Sequence, residues 1–134
     1  MAGFNHFNAI ANLITPFCSE VVTETAQEIV TEYENTAPRD TGEMADSGYI
    51  VTSKVDTYPA GAPTRTDAYF LPKVDTPVDD TTAYAAIAMS YAVYPELGTV
   101  HQSPQPAFYP AVMHADDTFE DRLNGFEDYL KRNI

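Results

Sequence analysis

Few side chains in this chain are of the types and spacings that could do chemistry. The three histidines, His6, His101 and His114, stand far apart and share no metal-ligand spacing. Cys18 is the single cysteine, which excludes internal disulfides and multi-cysteine zinc sites, and the sequence identifies no general base for it. Phosphate-binding glycine loops, zinc-protease motifs and serine-hydrolase motifs are all missing. We therefore predict that the protein is not an enzyme, and we expect no catalytic, metal-binding or cofactor-binding residues.

Carboxylates are the side chains that do recur at a regular spacing, because four of them stand at every fourth position of one segment. They are Glu20, Glu24, Glu28 and Glu32. In a helix this spacing places them in one row, where like charges repel by about 0.2–0.5 kcal/mol per pair. The row is either a solvated helix face or a functional electrostatic surface, and the sequence leaves both interpretations open.

The charge balance excludes several classes of partner. The 134 residues include 20 acidic and 7 basic side chains, for a formal net charge of −13, and 44% of the residues are hydrophobic. Nucleic acids and anionic membrane surfaces are bound mainly through Lys and Arg, so this balance argues against both. Apolar runs are too short to cross a bilayer, and the first residues lack the basic start of a secretory signal. We expect a soluble, acidic, single-domain protein.

The first third of the chain predicts helices. Apolar residues recur at helical spacing through the first 14 positions, which indicates a short amphipathic helix. Thr15 and Pro16 suit the cap and the first position of a second helix. That helix should end near Asn35, because the residue before Pro38 disfavours helical backbone.

The middle of the chain predicts two strands that flank an irregular segment. Tyr49–Val55 is rich in β-branched and aromatic residues, and Ala83–Ser90 is apolar enough for a central strand covered on both faces. Five proline and glycine residues interrupt the stretch 56–82. That stretch should form an extended hairpin arm or long loop, which is either decoration or a contact with a neighbouring subunit.

An apolar stripe near the end of the chain predicts one C-terminal helix. The stripe consists of Val112, Ala115, Phe119, Leu123, Phe126 and Leu130. We therefore predict an α+β fold, in which a small antiparallel sheet packs against a long N-terminal helix and a C-terminal helix. Within a single domain 1–134, we expect a helical extension (1–15), a helix and first strand (16–55), the arm or loop (56–82), and a central strand, loop and C-terminal helix (83–134).

Three short patches carry a more specific signal. Residues 37–42 (APRDTG), followed by Met44 and Ser47, resemble the pattern AP-x-DTG-x-L-x-x-S. Residues 91–99 (YAVYPELGT) resemble YA-x-Y-x-E-x-GT, and residues 104–111 (PQPAFYPA) resemble a Q-P-F-L-x-P-A motif that opens a C-terminal helix. The sequence departs from these patterns at Met44, at the inserted Ala107 and at Tyr109.

In this order and spacing, the three patches resemble the gene-product-ten-like tail-component family of tailed bacteriophages. Members of that family are described as neck, head–tail joining or tail-completion proteins. The likeness covers roughly residues 20–125, which leaves the first helix and the segment 56–82 as embellishments. The motif residues that the resemblance marks for the fold or an interface are Pro38, Asp40, Thr41, Gly42, Tyr91, Tyr94, Glu96, Gly98, Thr99, Pro106, Phe108 and Pro110.

Physical roles can be assigned to several of these residues. Asp40 can accept backbone N–H groups in a turn, and Gly42 can adopt positive φ. Glu96 either caps turn amides or pairs with an arginine of an adjacent subunit. Gly98 permits a sharp exit from its segment, and Phe108 with Pro106 would fix the last helix on the sheet.

The resemblance implies a structural protein of the virion, assembled in the host cytoplasm and placed at the neck between head and tail. Its partners would be further copies of itself in a six- or twelve-fold ring, together with portal-side adaptor or stopper rings and tail-terminator or tail-tube rings. DNA would pass through without specific binding, and no membrane would be involved. The glutamate row Glu20, Glu24, Glu28 and Glu32 is our candidate for an acidic lining of the ring lumen. The alternative function is an acidic DNA mimic that inhibits a DNA-binding protein of the host.

Overall fold

The fold is known from a computed structural model that describes residues 2–37, 45–59, 71–89, 92–101 and 103–133. These residues contain four α-helices and a two-stranded antiparallel sheet, so the fold is α+β as predicted. The helices are α1 (Ala2–Thr36), α2 (Val93–Leu97), α3 (Phe108–Leu123) and α4 (Phe126–Asn133). The strands are β1 (Gly48–Thr52) and β2 (Ala83–Ile87), and a short 3₁₀ turn, Ala45–Ser47, precedes β1.

Helix α1 is one continuous element, so the predicted break at Thr15 and Pro16 is wrong. Pro16 lies inside the helix, where its ring nitrogen cannot donate the usual backbone hydrogen bond. The apolar period continues across the proline, since Leu13 is half-buried and both Phe17 and Val21 are buried. Packing of this face therefore maintains the helix, while its end at Thr36 agrees with the predicted end near Asn35.

The two strands pair in antiparallel register, with Ile50 opposite Ala85 and Thr52 opposite Ala83. Strand β1 ends at Thr52, three residues earlier than predicted, because the Thr52 hydroxyl accepts the amides of Lys54 and Val55 at 3.1 and 2.9 Å. The turn that results returns the chain alongside β1, where Val51 and Asp56 form an isolated bridge.

Residues pack on both faces of the sheet, but the sheet in the described residues has only two strands, so β2 is an edge strand that ends at Ile87 and not the predicted central strand Ala83–Ser90. Its coverage is also incomplete, since Tyr84 is 44% exposed. Ala26 and Val30 of α1 pack on Ile50 together with the small side chains of Ala83 and Ala85, and these alanines let the helix approach closely. On the opposite face, residues of the irregular segment cover the sheet. They are Tyr58 and Val74, which pack against Tyr49, Val51 and Ala88.

The described parts of the predicted arm, 56–59 and 71–82, form no helix or strand beyond the Val51–Asp56 bridge. They pack on their own sheet. The Tyr58 hydroxyl donates to the Leu71 carbonyl at 2.5 Å, the Val74 amide donates to the Tyr49 hydroxyl at 3.1 Å, and Lys73 forms an ion pair with Asp56. Residues 60–70, the middle of the predicted arm, lie outside the described residues.

The predicted C-terminal helix is in fact two helices. Helix α3 ends at Leu123, and α4 begins at Phe126 after the residues Asn124 and Gly125. Helix α3 packs along α1, and α4 also contacts α1, where the ring centroids of Phe126 and Tyr129 lie 4.9 and 5.2 Å from that of Phe17. The apolar stripe continues across the break between the helices because both α3 and α4 pack on α1.

Candidate functional site

The Glu96 carboxylate binds the start of helix α3. Its Oε1 accepts the backbone N–H groups of Ala107 and Phe108 at 2.9 and 2.8 Å, and its Oε2 accepts that of Tyr109 at 2.8 Å. Glu96 lies on α2, eleven residues before Ala107, so the cap comes from another element and not from the residue that precedes the helix. Ala107 itself provides no side-chain cap.

This arrangement accounts for every N–H group that the start of a helix leaves without a partner. Four such groups arise at an α-helix N-terminus. Glu96 accepts three of them, and the fourth position is Pro110, which has no N–H to satisfy. The first backbone bond inside the helix follows directly, from the Ala111 amide to the Ala107 carbonyl at 3.3 Å. The negative charge of Glu96 also faces the positive end of the helix dipole, which favours the same geometry.

Gly98 closes the turn that aims Glu96 at α3. Its φ of 80° and ψ of 168° lie in a region that is essentially restricted to glycine. A Cβ at this position would also come within 2.8 Å of the Pro104 ring. Two backbone bonds hold the turn, from the Gly98 amide to the Tyr94 carbonyl and from the Gln105 amide to the Pro95 carbonyl, both at 2.7 Å. The chain can therefore pass from α2 to α3 with Glu96 fixed between them.

Of the twelve predicted motif residues, the structure brings together the described residues of the second and third patches. Phe108 opens α3 and packs edge-on against Tyr33, with ring centroids 6.0 Å apart. Tyr94 and Pro106 are exposed, and the Thr99 hydroxyl accepts the His101 amide. Five of the motif residues lie outside the described residues: Pro38, Asp40, Thr41, Gly42 and Tyr91.

Beside the capped turn lies an apolar groove of about 390 Å³. Strand β2, the end of α2 and the start of α3 form its walls, and Leu71 closes one side. Met89 is buried within this wall, whereas Leu97 at its edge is 72% exposed. Further large apolar side chains stand exposed in the same stretch of chain: Tyr94, Val100, Tyr109 and Met113.

The glutamate row does not face solvent along its whole length. Glu28 contacts α3, where its Oε1 lies 3.1 Å from the Arg122 guanidinium and its Oε2 accepts the Thr118 hydroxyl at 2.9 Å. These contacts, with that of Arg122 the largest, hold the pKa of Glu28 below its usual value. Glu24 is 3.9 Å from Arg122 and remains exposed, as does Glu20.

Glu32 forms the next contact of the row with α3. Its Oε1 lies 2.6 Å from Nδ1 of His114. This hydrogen bond, followed by the charge of Glu32, raises the pKa of His114. The row therefore divides into two exposed carboxylates and two that join α1 to α3, and the interpretation of a wholly solvated face is wrong for Glu28 and Glu32.

The sequence interpretation missed the residues on α3 that receive these carboxylates, namely His114, Thr118 and Arg122. Their spacing of four residues, which matches the spacing of the row, was the available signal. Within the described ranges, His, Cys, Asp and Glu side chains form no group of three that could hold a metal ion. None of the helices in the described part of the chain has the length and apolar character needed to span a membrane.

The chain was compared with protein-family models, with curated proteins and with solved structures, and no match was found.

Proposed function

We propose that this chain is a structural protein of a tailed-phage virion, which forms part of the ring stack that joins head to tail. The observation that carries the proposal is the bond between two of its three motif patches. Glu96 of the second patch caps the helix that Phe108 of the third patch opens. A contact that fixes one helix on another within the subunit is what a fold-specifying motif should provide. The resemblance implies this role for the motif residues.

The surface of the described residues supports a role in assembly over one in catalysis. Large apolar side chains stand exposed around the capped turn, and such patches mark contacts with other proteins. The polar contacts found there, those of Glu96, are used inside the subunit. A ring of identical subunits would cover this apolar surface by packing it against a neighbour.

The net charge fits passage of DNA through such a ring. Six copies at −13 each would carry about −78, and an acidic lumen would let DNA slide without adhering. Glu20 and Glu24 are the exposed carboxylates of the row that could contribute to this lining, although Glu24 lies 3.9 Å from Arg122, whereas Glu28 and Glu32 are engaged with α3. The exposed carboxylates on the outer face of α3 are further candidates: Asp116, Asp117, Glu120 and Asp121.

The experiment is negative-stain microscopy of phage particles made with and without this protein. We expect filled heads separated from normal tails in its absence, and we expect joined particles when wild-type protein is supplied in trans. Intact, infectious particles without the protein would overturn the proposal. Capture of a basic DNA-binding protein of the host would then favour the DNA-mimic alternative.

A further inference from the structure

The charged side chains of this protein are unevenly distributed. Residues 1–19 contain none of the 20 acidic and 7 basic side chains, and residues 81–113 contain only Glu96. The Glu96 carboxylate is bound by three amides of its own subunit. Two stretches of an otherwise strongly acidic protein therefore offer no free charge to a partner.

The first of these stretches is the N-terminal end of α1. Ile10, Leu13 and Ile14 lie on one face of the helix by their spacing, and Ile14 is 48% exposed. From residue 8 onward, the first buried side chain of the helix is Phe17. Ile10 and Leu13 are half-buried, so the helix leaves this apolar face only partly covered before it reaches the core of its own subunit.

The second stretch forms the apolar groove beside α2, which Leu71, Met89, Leu97 and Phe108 help to line. The N-terminal end of α1 cannot fill the groove of its own subunit. Phe108, in the groove wall, contacts Tyr33 at the other end of α1, and Ile14 lies 19 residues before Tyr33. At 1.5 Å per residue, this separation is about 28 Å along the helix.

We propose that the N-terminal end of α1 in one subunit packs, through Ile10, Leu13 and Ile14, into the apolar groove of a second copy of this chain. Subunits that each carry −13 repel one another, so contact is favoured where both surfaces lack charge. An apolar helix face in a groove is a common mode of recognition. The two surfaces differ, so the contact is head-to-tail, which is the type that closes into rings. This inference rests on the proposed function for its biological setting.

Cysteine cross-linking tests the contact directly. In a Cys18→Ser background, Ile14→Cys protein is mixed with a tagged Leu97→Cys protein and treated with a short bis-maleimide. We expect the mixed dimer to exceed the dimers of either variant alone by about tenfold, because assembly holds the two thiols at high effective concentration. Val78→Cys, at a fully exposed position that does not line the groove, replaces Leu97→Cys in the matched control and should give only background cross-linking.

Light scattering tests the same contact without cysteines. Wild-type protein should have a mass well above the 14.8 kDa of one chain, whereas Ile14→Asp and Leu97→Asp should each be monomeric with unchanged circular dichroism. A mixture of the two should form a dimer that grows no further, since one partner keeps an intact groove and the other an intact helix end. Wild-type protein that is monomeric and does not cross-link, or preferential Ile14–Ile14 cross-links, would overturn the proposal.

These results separate the contact from the proposed function. If Ile14 and Leu97 cross-link while particles without the protein remain joined, the contact stands and the neck function fails. If heads and tails separate but no Ile14–Leu97 cross-link forms, the neck function stands and this contact is wrong.

Discussion

The Glu28 carboxylate of α1 lies 3.1 Å from the Arg122 guanidinium of α3, and the pair joins two residues that are 94 positions apart in the sequence. Both side chains are mostly covered, with exposed fractions of 33% and 23%. Arg122 also donates to the hydroxyls of Thr25 and Thr118 at 3.4 and 3.2 Å. The ion pair is therefore the centre of a polar contact that holds α3 on α1.

Replacement of Arg122 by methionine tests this contact while preserving an apolar stem. We expect Arg122→Met to lower the free energy of unfolding by about 1–2 kcal/mol, because a partly buried carboxylate loses its main partner. Urea denaturation measures the change. Lys131→Met is the matched control, since its pair with Glu127 is exposed and should contribute less than about 0.5 kcal/mol. A double-mutant cycle with Glu28→Gln that gave a coupling free energy near zero would contradict the assignment.

The contact of His114 with Glu32 predicts how stability depends on pH near neutrality. The hydrogen bond and charge of Glu32, aided by the charges of Asp117 and Glu28, raise the pKa of His114 above its usual 6.5. A raised folded-state pKa adds stability that is fully present below pH 6.5 and is lost as pH rises through the folded value. Urea midpoints of wild-type protein should therefore fall across this range, and those of His114→Gln should fall less. Glu32→Gln should flatten the profile to a smaller degree than His114→Gln, because the charges of Asp117 and Glu28 remain, and an unchanged slope in that variant would refute the role of the pair.

The stability that Glu28 contributes depends on pH in the opposite direction to that of His114. Arg122 lowers its pKa below the usual 4.5, so its contribution is present above that value and is lost as pH falls through the folded pKa. Asp56 and Asp79 also have lowered pKa values, through hydrogen bonds from Lys73 and Thr82 respectively. The acid side of the profile is thus shared, and the comparison with Arg122→Met isolates the part that belongs to Glu28.

Sequence periodicity predicted the fold class, because helix and strand periods depend on neighbours along the chain. The apolar alanines of β2 and the face of α1 that packs on them were both readable in this way. Local signals failed where two of them competed. At Pro16 the residue types predicted a helix start, but the apolar face continues and the helix is unbroken. At Gly125 the continuous apolar stripe predicted one helix, but α3 ends at Leu123.

The contacts between helices were beyond such reasoning. The spacing of the glutamate row identifies which carboxylates share a face of α1, but it does not identify the helix that crosses that face. Whether Glu28 meets solvent or Arg122 depends on the packing of α3, which involves residues 94 positions away. Glu96 is intermediate between these cases: its role as a cap for amides was one of two predicted roles, but its target, the start of α3, required the structure.

The cap formed by Glu96 should be required for the start of α3. We expect Glu96→Ala to lower the free energy of unfolding by about 1–2 kcal/mol, the upper range for loss of a helix cap, because three amides lose their acceptor together. Glu96→Gln keeps one side-chain oxygen, so its free energy of unfolding should lie between those of the wild type and Glu96→Ala. Hydrogen exchange provides the specific readout, since the amides of Phe108 and Tyr109 should exchange faster in the alanine variant. Glu120→Ala, exposed on the same helix, is the control and should leave both stability and exchange close to wild type. Unchanged exchange at Phe108 in Glu96→Ala would refute the cap.

Gly98 should tolerate no side chain, for two separable reasons. Its backbone conformation alone costs a non-glycine residue about 1–3 kcal/mol, and a Cβ would meet Pro104 Cγ at 2.8 Å. We therefore expect Gly98→Ala to destabilise the fold by at least the backbone cost, measured by urea denaturation. Gly125→Ala is the comparison, because that glycine has no positive φ and its Cβ would lie 3.2 Å from one carbonyl oxygen.

The double variant Gly98→Ala/Pro104→Ala divides the cost between its two sources. Removing the proline ring relieves the clash but leaves the backbone conformation unchanged. In the Pro104→Ala background, Gly98→Ala should therefore cost less free energy of unfolding than it does in the wild type, and the difference is the steric part of the cost. Full recovery would mean that the turn can relax to another conformation, and Glu96 would then depend on Gly98 less than the geometry indicates. A loss that persists, accompanied by faster exchange at Phe108 and Tyr109, would show that the glycine fixes the position from which Glu96 reaches α3.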